Sequence, residues 1–148
     1  MSKNKAIEHL EEAKRLSPVA VAGHPPQGNV YYQLAKLHEE AGDGEKAIAR
    51  MVELARFAAE DPECRQRIVR YALEVKKDPR MALKYLDELM YIQPFEPQFH
   101  KHLARAALET GEHDIAIREN TILLGFPDAN PRQVRLGLAK SYLAKGEK

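Results

Sequence analysis

KAIEHLEEAKRLSP (residues 5–18), KAIARMVELARFAAEDP (46–62), MALKYLDELMYIQP (81–94) and IAIRENTILLGFPD (115–128) are four versions of one pattern. Each has a small alanine near its start, a bulky or polar residue four positions on, an apolar or small residue three later, and then a proline. The alanines are Ala6, Ala47, Ala82 and Ala116, separated by 41, 35 and 34 residues. A spacing of four and then three keeps all three positions on one face of a helix. Recurrence at about 34 residues is the period of helix–turn–helix solenoids, in which each pair buries its apolar face only by stacking on its neighbours. The fold predicted is all-α, a right-handed solenoid of antiparallel helix pairs with about eight helices.

Partner helices lie between the copies. In NVYYQLAKLHEEAGD, Tyr31, Leu34, Ala35 and His38 share one face, and Gly42 ends the helix as a residue free to adopt positive φ. The second helix of that pair starts near Glu45 and turns Ala47, Ile48, Met51 and Leu54 inward. The order repeats from Pro97, with Leu103, Ala104 and Ala107 inward, a turn at Gly111, then Ala116, Ile117 and Leu123. The last segment, RQVRLGLAKSYLAKGEK, offers Leu138, Ala139 and Tyr142 before Gly146. The middle copy is less regular. Arg70 stands where its sisters carry Ala35, Ala104 and Ala139, and Lys77-Asp78-Pro79 replaces the glycine turn, Pro79 suiting the first turn of a helix. Residues 18–27, PVAVAGHPPQ, are expected to be a loop, because Gly23 and Pro25-Pro26 forbid a continuous helix.

Composition agrees and excludes several classes. Of 148 residues, 44% are apolar and 30% charged, an ordinary globular balance. With 23 basic and 22 acidic side chains the formal net charge is +1, so no global field draws the chain to nucleic acid or a membrane. No apolar run reaches the ~18 residues of a membrane span, and the charged N-terminal stretch lacks a signal core. A cytoplasmic location is expected. Cys64 is a lone cysteine, which precludes an intrachain disulfide and fits a reducing compartment.

At these positions the chain resembles the tetratricopeptide repeat (TPR) family. Tyr31, Leu34-Ala35, Gly42 and Ala47 match its signature in one unit, Ala82, Leu86, Leu89 and Pro94 in the next, and His100, Leu103-Ala104, Gly111 and Ala116 in the third. Met51, Leu86 and Asn120 stand where the family often has an aromatic residue. The resemblance implies one array over 1–148: helix B of a partial repeat (3–17), repeats at 28–62, 63–96 and 97–131, and a final helix A at 132–148. It opens in a helix B and stops after a helix A, so either those helices cap the stack or, the reading preferred, the chain is a segment of a longer array.

The resemblance also implies a function: a protein–protein interaction module that holds an extended segment in a concave groove lined by the A helices. Carried over by position, the groove residues are Tyr32, Lys36, Arg67, Tyr71, Lys101, Arg105 and Lys140. Five cations and two tyrosines suit an acidic or carboxylate-ended peptide. The alternative is an architectural or oligomerisation segment with no ligand of its own, the exposed array ends being a route to homo-oligomers. No nucleic-acid or membrane partner is expected, and the partner's identity is not encoded. Nothing points to an enzyme, a cofactor or a metal: HExxH, paired cysteines, GxSxG and phosphate loops are absent, and His100 and His102, two apart on a helix, face different ways. His24, His38 and His113 fall in other units.

The alanine faces are directly testable. Replacing Ala82 or Ala116 by Arg should destabilise the protein by about 3 kcal/mol through overpacking and charge burial. An unchanged melting midpoint for both variants would show that the faces are misassigned.

Overall fold

The computed structural model describes residues 2–19 and 28–146. Eight α-helices account for most of them: α1 (Lys3–Leu16), α2 (Val30–Glu40), α3 (Gly44–Ala55), α4 (Pro62–Tyr71), α5 (Pro79–Ile92), α6 (Pro97–Thr110), α7 (His113–Leu123) and α8 (Pro131–Lys145). The described residues contain no strand. A π-helical turn, Ala72–Lys76, extends α4. Most of the loop expected at 18–27 lies outside the described residues, with Gly23, His24, Pro25 and Pro26. The chain divides into two compact units, Met1–Ile68 and Val69–Lys148.

Helix starts follow from local chemistry. Asn29, Asp43, Asp61, Asp78 and Asn130 each accept a backbone N–H from the first turn of the helix that follows. That satisfies donors which have no partner inside the helix. Pro79, Pro97 and Pro131 occupy first-turn positions, where the missing N–H costs little. Helix ends use left-handed backbone. Gly42, Gly111 and Gly146 have φ of 79°, 82° and 85°.

In the first unit α1 packs on α2, and α2 on α3. Tyr31, Leu34, Ala35 and His38 of α2 are buried, with Ala47, Ile48, Met51 and Leu54 of α3, as their spacing requires. Outside this core an ionic lattice ties α1 to α3. Lys14 Nζ lies 2.8 Å from both Glu11 and Glu53, while Arg50 reaches Glu53 at 2.7 Å and Glu11 at 3.3 Å. Arg65 closes the C-terminal end of α3. Its guanidinium donates to the carbonyls of Ala55, Ala58 and Asp61, near the end of a helix whose last carbonyls lack partners.

In the second unit α5, α6, α7 and α8 pack in sequence order. Ala82, Leu86 and Leu89 of α5, Leu103, Ala104 and Ala107 of α6, and Ala116 and Leu123 of α7 are buried. Ile117 is half-buried. The core also holds polar groups. His100 Nδ1 lies 2.6 Å from Glu119 Oε2 and its Nε2 lies 2.8 Å from the Pro94 carbonyl, so each contact needs a proton. Arg118 Nε donates to the other Glu119 oxygen at 2.7 Å.

Two registers differ from the sequence expectation. In α4 the buried face is Ile68, Val69 and Ala72, and Arg70 is exposed, so Val69 rather than Arg70 is equivalent to Ala35 and Ala104. In α8 the buried residues are Val134 and Ser141, with Gly137 and Leu138 between them, whereas Ala139 is exposed and Tyr142 is 40% exposed. The physical reason in α8 is the close approach of α7. A Cβ on Gly137 would stand 2.6 Å from Asn120 Oδ1, so glycine occupies the position held by Leu103 in α6. Asn120, at a position the TPR signature often gives to an aromatic ring, donates to the Ala116 carbonyl at 2.8 Å.

The middle turn has no glycine. Lys77 takes the left-handed conformation itself, with φ of 54°, and its side chain must tolerate a crowded backbone. Lys77→Gly should therefore stabilise the protein by about 1 kcal/mol. A melting midpoint below that of the parent would contradict this.

Candidate functional site

The A helices carry the residues singled out above, not all of them exposed. In the first unit these are Tyr32 and Lys36 on α2 and Arg67 on α4. Tyr32 is buried, at 7% exposure, because its hydroxyl turns inward and donates to the Asp61 carboxylate at 2.9 and 3.0 Å. Burial, then the hydrogen bond and the Asp61 charge, push the phenol far above its ordinary range, so it stays a donor. Asp61 is 2% exposed and also accepts the Cys64 N–H at 3.2 Å, capping α4. Cys64 is free and buried. One carboxylate therefore joins α2 to the start of α4.

Arg67 lies on the outer side of that joint. Its guanidinium carbon stands 5.7 Å from the Tyr32 ring centroid and its Nη2 lies 3.7 Å from Glu39. Contact with an aromatic face and a weak ion pair both orient it. Lys36 is exposed. Nearby Glu40 bonds Lys3 at 2.7 Å, and its carboxyl is held below the usual range by that hydrogen bond first and only weakly by Lys36.

In the second unit Lys101, Arg105 and Lys140 are exposed and Tyr71 is half-buried. Arg105 bonds Glu109 one turn on at 2.9 Å, yet its side chain remains 78% exposed. His102 belongs to the same surface. Its Nε2 is 3.0 Å from the Gln98 amide nitrogen. Burial first, then Arg105, and more weakly Lys101, hold its ring below the ordinary imidazole range, with Glu74 of the π turn opposing them.

The corrected registers change which residues are equivalent. Lys36, one residue past buried Ala35, corresponds to Arg70 in α4 and Arg105 in α6, each one residue past a buried Val69 or Ala104. Arg67 and Tyr71 lie one position further round their helix. In α8 the counterpart of Lys101 is Arg135, exposed, and Lys140 is offset by one. Arg70 and Arg135 were thus missed as surface cations. The period of about 34 residues counted forward from Leu34 would have found Arg70, because it places Ile68 rather than Val69 at the Leu34 position. Among the described residues Arg70, Lys101 and Arg135 close no ion pair, and no group of three His, Cys, Asp or Glu side chains is placed to hold a metal. No helix of the described residues is long and apolar enough to cross a membrane.

No protein-family model matches the sequence, and no curated protein sequence matches it. Solved structures do share the fold. A crystal structure of MamA aligns with a TM-score of 0.59 over 97% of this chain and 79% of that chain, at 16% identity. A second MamA crystal structure aligns with a TM-score of 0.57 over 97% and 74%, at 17% identity. The likeness shows a TPR-like solenoid, all-α, for this chain.

The Tyr32–Asp61 joint has a measurable consequence. Tyr32→Phe removes the donor to a buried carboxylate and should lower stability by about 1–2 kcal/mol with helicity unchanged. An unaltered urea midpoint would show that the hydroxyl contributes nothing.

Proposed function

We propose that this chain is a protein–protein interaction module whose exposed A-helix faces receive an extended acidic segment of a partner protein. It acts as a binding scaffold rather than an enzyme. In this reading the repeats run over 28–62, 63–96 and 97–131, flanked by a partial repeat at 3–17 that holds α1 and a final segment at 132–148 that holds most of α8. The observation that carries this reading is a repeated cation. Successive A helices present Lys36, Arg70 and Arg105 one residue beyond a buried core position, and all three are exposed. The neighbouring core position must be apolar to pack, and the turn position must be glycine-like. This outer position is free of both demands, and it holds a cation in α2, α4 and α6, whereas α8 has Ala139 there with Lys140 beside it.

Lys101 and Arg135 add charge at a second equivalent position, with Lys140 beside them on α8. Arginines supply planar, bidentate donors for carboxylates, which makes them better suited than lysines to fixing an acidic chain. Arg67, oriented on the Tyr32 ring, contributes flat surface in the first unit, and the half-buried Tyr71 does so in the second. TPR-like architecture suits the role, since stacked helix pairs form extended binding surfaces.

Reversing Arg70 and Arg105 to Glu should abolish binding of a Glu-rich peptide while leaving circular dichroism and melting unchanged. For the parent protein, raising salt from about 50 to about 500 mM should weaken binding as screening shortens to a few ångströms. Equal affinity of parent and double variant for the peptide would overturn the assignment.

A further inference from the structure

His102 sits one residue after Lys101 and three before Arg105 on α6, inside the proposed binding surface. Its ring is half-buried. Gln98, one turn earlier, places its amide nitrogen 3.0 Å from Nε2. An amide N–H2 only donates, so Nε2 accepts and the ring is neutral with its proton on Nδ1. The charges around it are Lys101 and Arg105 from its own helix and Glu74 from the π turn. Glu109 is engaged by Arg105 at 2.9 Å.

We propose that His102 couples binding to proton uptake: an acidic segment laid across Lys101 and Arg105 draws a proton onto the His102 ring. This rests on the reading of the surface as a site for acidic segments. Two cations and partial burial oppose a charged imidazole in the free protein. A docked carboxylate neutralises those cations and adds an anion beside the ring, so the balance reverses. Protonation then costs Gln98 its donor contact, and the side-chain amide turns its oxygen toward Nε2.

The direction follows from linkage. The free ring titrates below its ordinary value of about 6.5, and the bound ring titrates higher. Affinity therefore rises as pH falls through that window, where Glu carboxylates, with an ordinary value of about 4.3, remain ionised. Partner and surface are then drawn together most strongly in mildly acidic conditions.

The test uses the full chain and a fluorescein-labelled peptide of alternating Glu and Gly. Anisotropy should show about fivefold tighter binding at about pH 5.5 than at about pH 7.5, below the roughly tenfold gain open to a ring whose midpoint rises by about one pH unit on binding. His102→Gln should lose this pH dependence yet keep the salt dependence. NMR titration of the His102 ring, assigned by its absence in His102→Gln, should show a midpoint that rises when the peptide is saturating. Salt-dependent binding whose pH dependence persists in His102→Gln, or an unmoved His102 midpoint, would overturn the His102 assignment and leave the binding surface standing. Failure of the parent protein to bind the peptide at either pH in low salt would overturn both.

Discussion

A helix can lie close against its neighbour only where its side chain ends at Cβ, and this governs the rest of the molecule. Ala47, Ala82 and Ala116 are at most 1% exposed, and each begins a helix whose next two inward positions, four and seven residues on, fill the layer behind it. Ala35, Ala104 and Ala107 meet the same need on the partner helices. Gly137 carries the constraint further, because Asn120 comes so near that even a methyl group would collide. Once these contacts are set, every other face of each helix is assigned by geometry. The outward cations are a consequence: they stand where the close crossing makes no demand.

Packing of small residues leaves room for alternatives, and buried polar contacts narrow them. Asp61 takes both the Tyr32 hydroxyl and the Cys64 N–H, so α2 and the start of α4 have one satisfied arrangement within the first unit. In the second unit Glu119 holds His100 on one oxygen and Arg118 on the other, while His100 also reaches the Pro94 carbonyl. A register slip would strand a buried charge in either place, which costs several kcal/mol. Charge also separates the surface from the core. Arg65 points inward to carbonyls at the end of α3, whereas Arg70, five residues later, points out.

The candidate surface is only partly legible in the sequence. Lys36, Lys101 and Arg105 follow from the TPR resemblance and are exposed on their helices. The same resemblance offers Tyr32 to a ligand, but its hydroxyl is committed to Asp61, a residue 29 positions away that no local pattern connects to it. Spacing alone makes His102 a structural or surface histidine, since nothing in it shows that burial and two cations combine on the ring. Arg70 and Arg135 are each displaced by one residue, but for separate reasons: the π-helical turn before Lys77 in α4, and the place of Gly137 against Asn120 in α8.

By itself the sequence determined the helix count, the turn glycines and the faces of α2, α3, α5, α6 and α7. These depend on interactions within a few residues, and periodicity records them. Only the tertiary structure decided the registers of α4 and α8. In α4 a π-helical turn takes up the chain before Lys77, and in α8 contact with Asn120 selects Gly137 over the bulkier Leu138 for the closest approach. Which side chain faces a neighbouring helix is set by the room that neighbour leaves, and a single helix's pattern of apolar residues does not contain that distance.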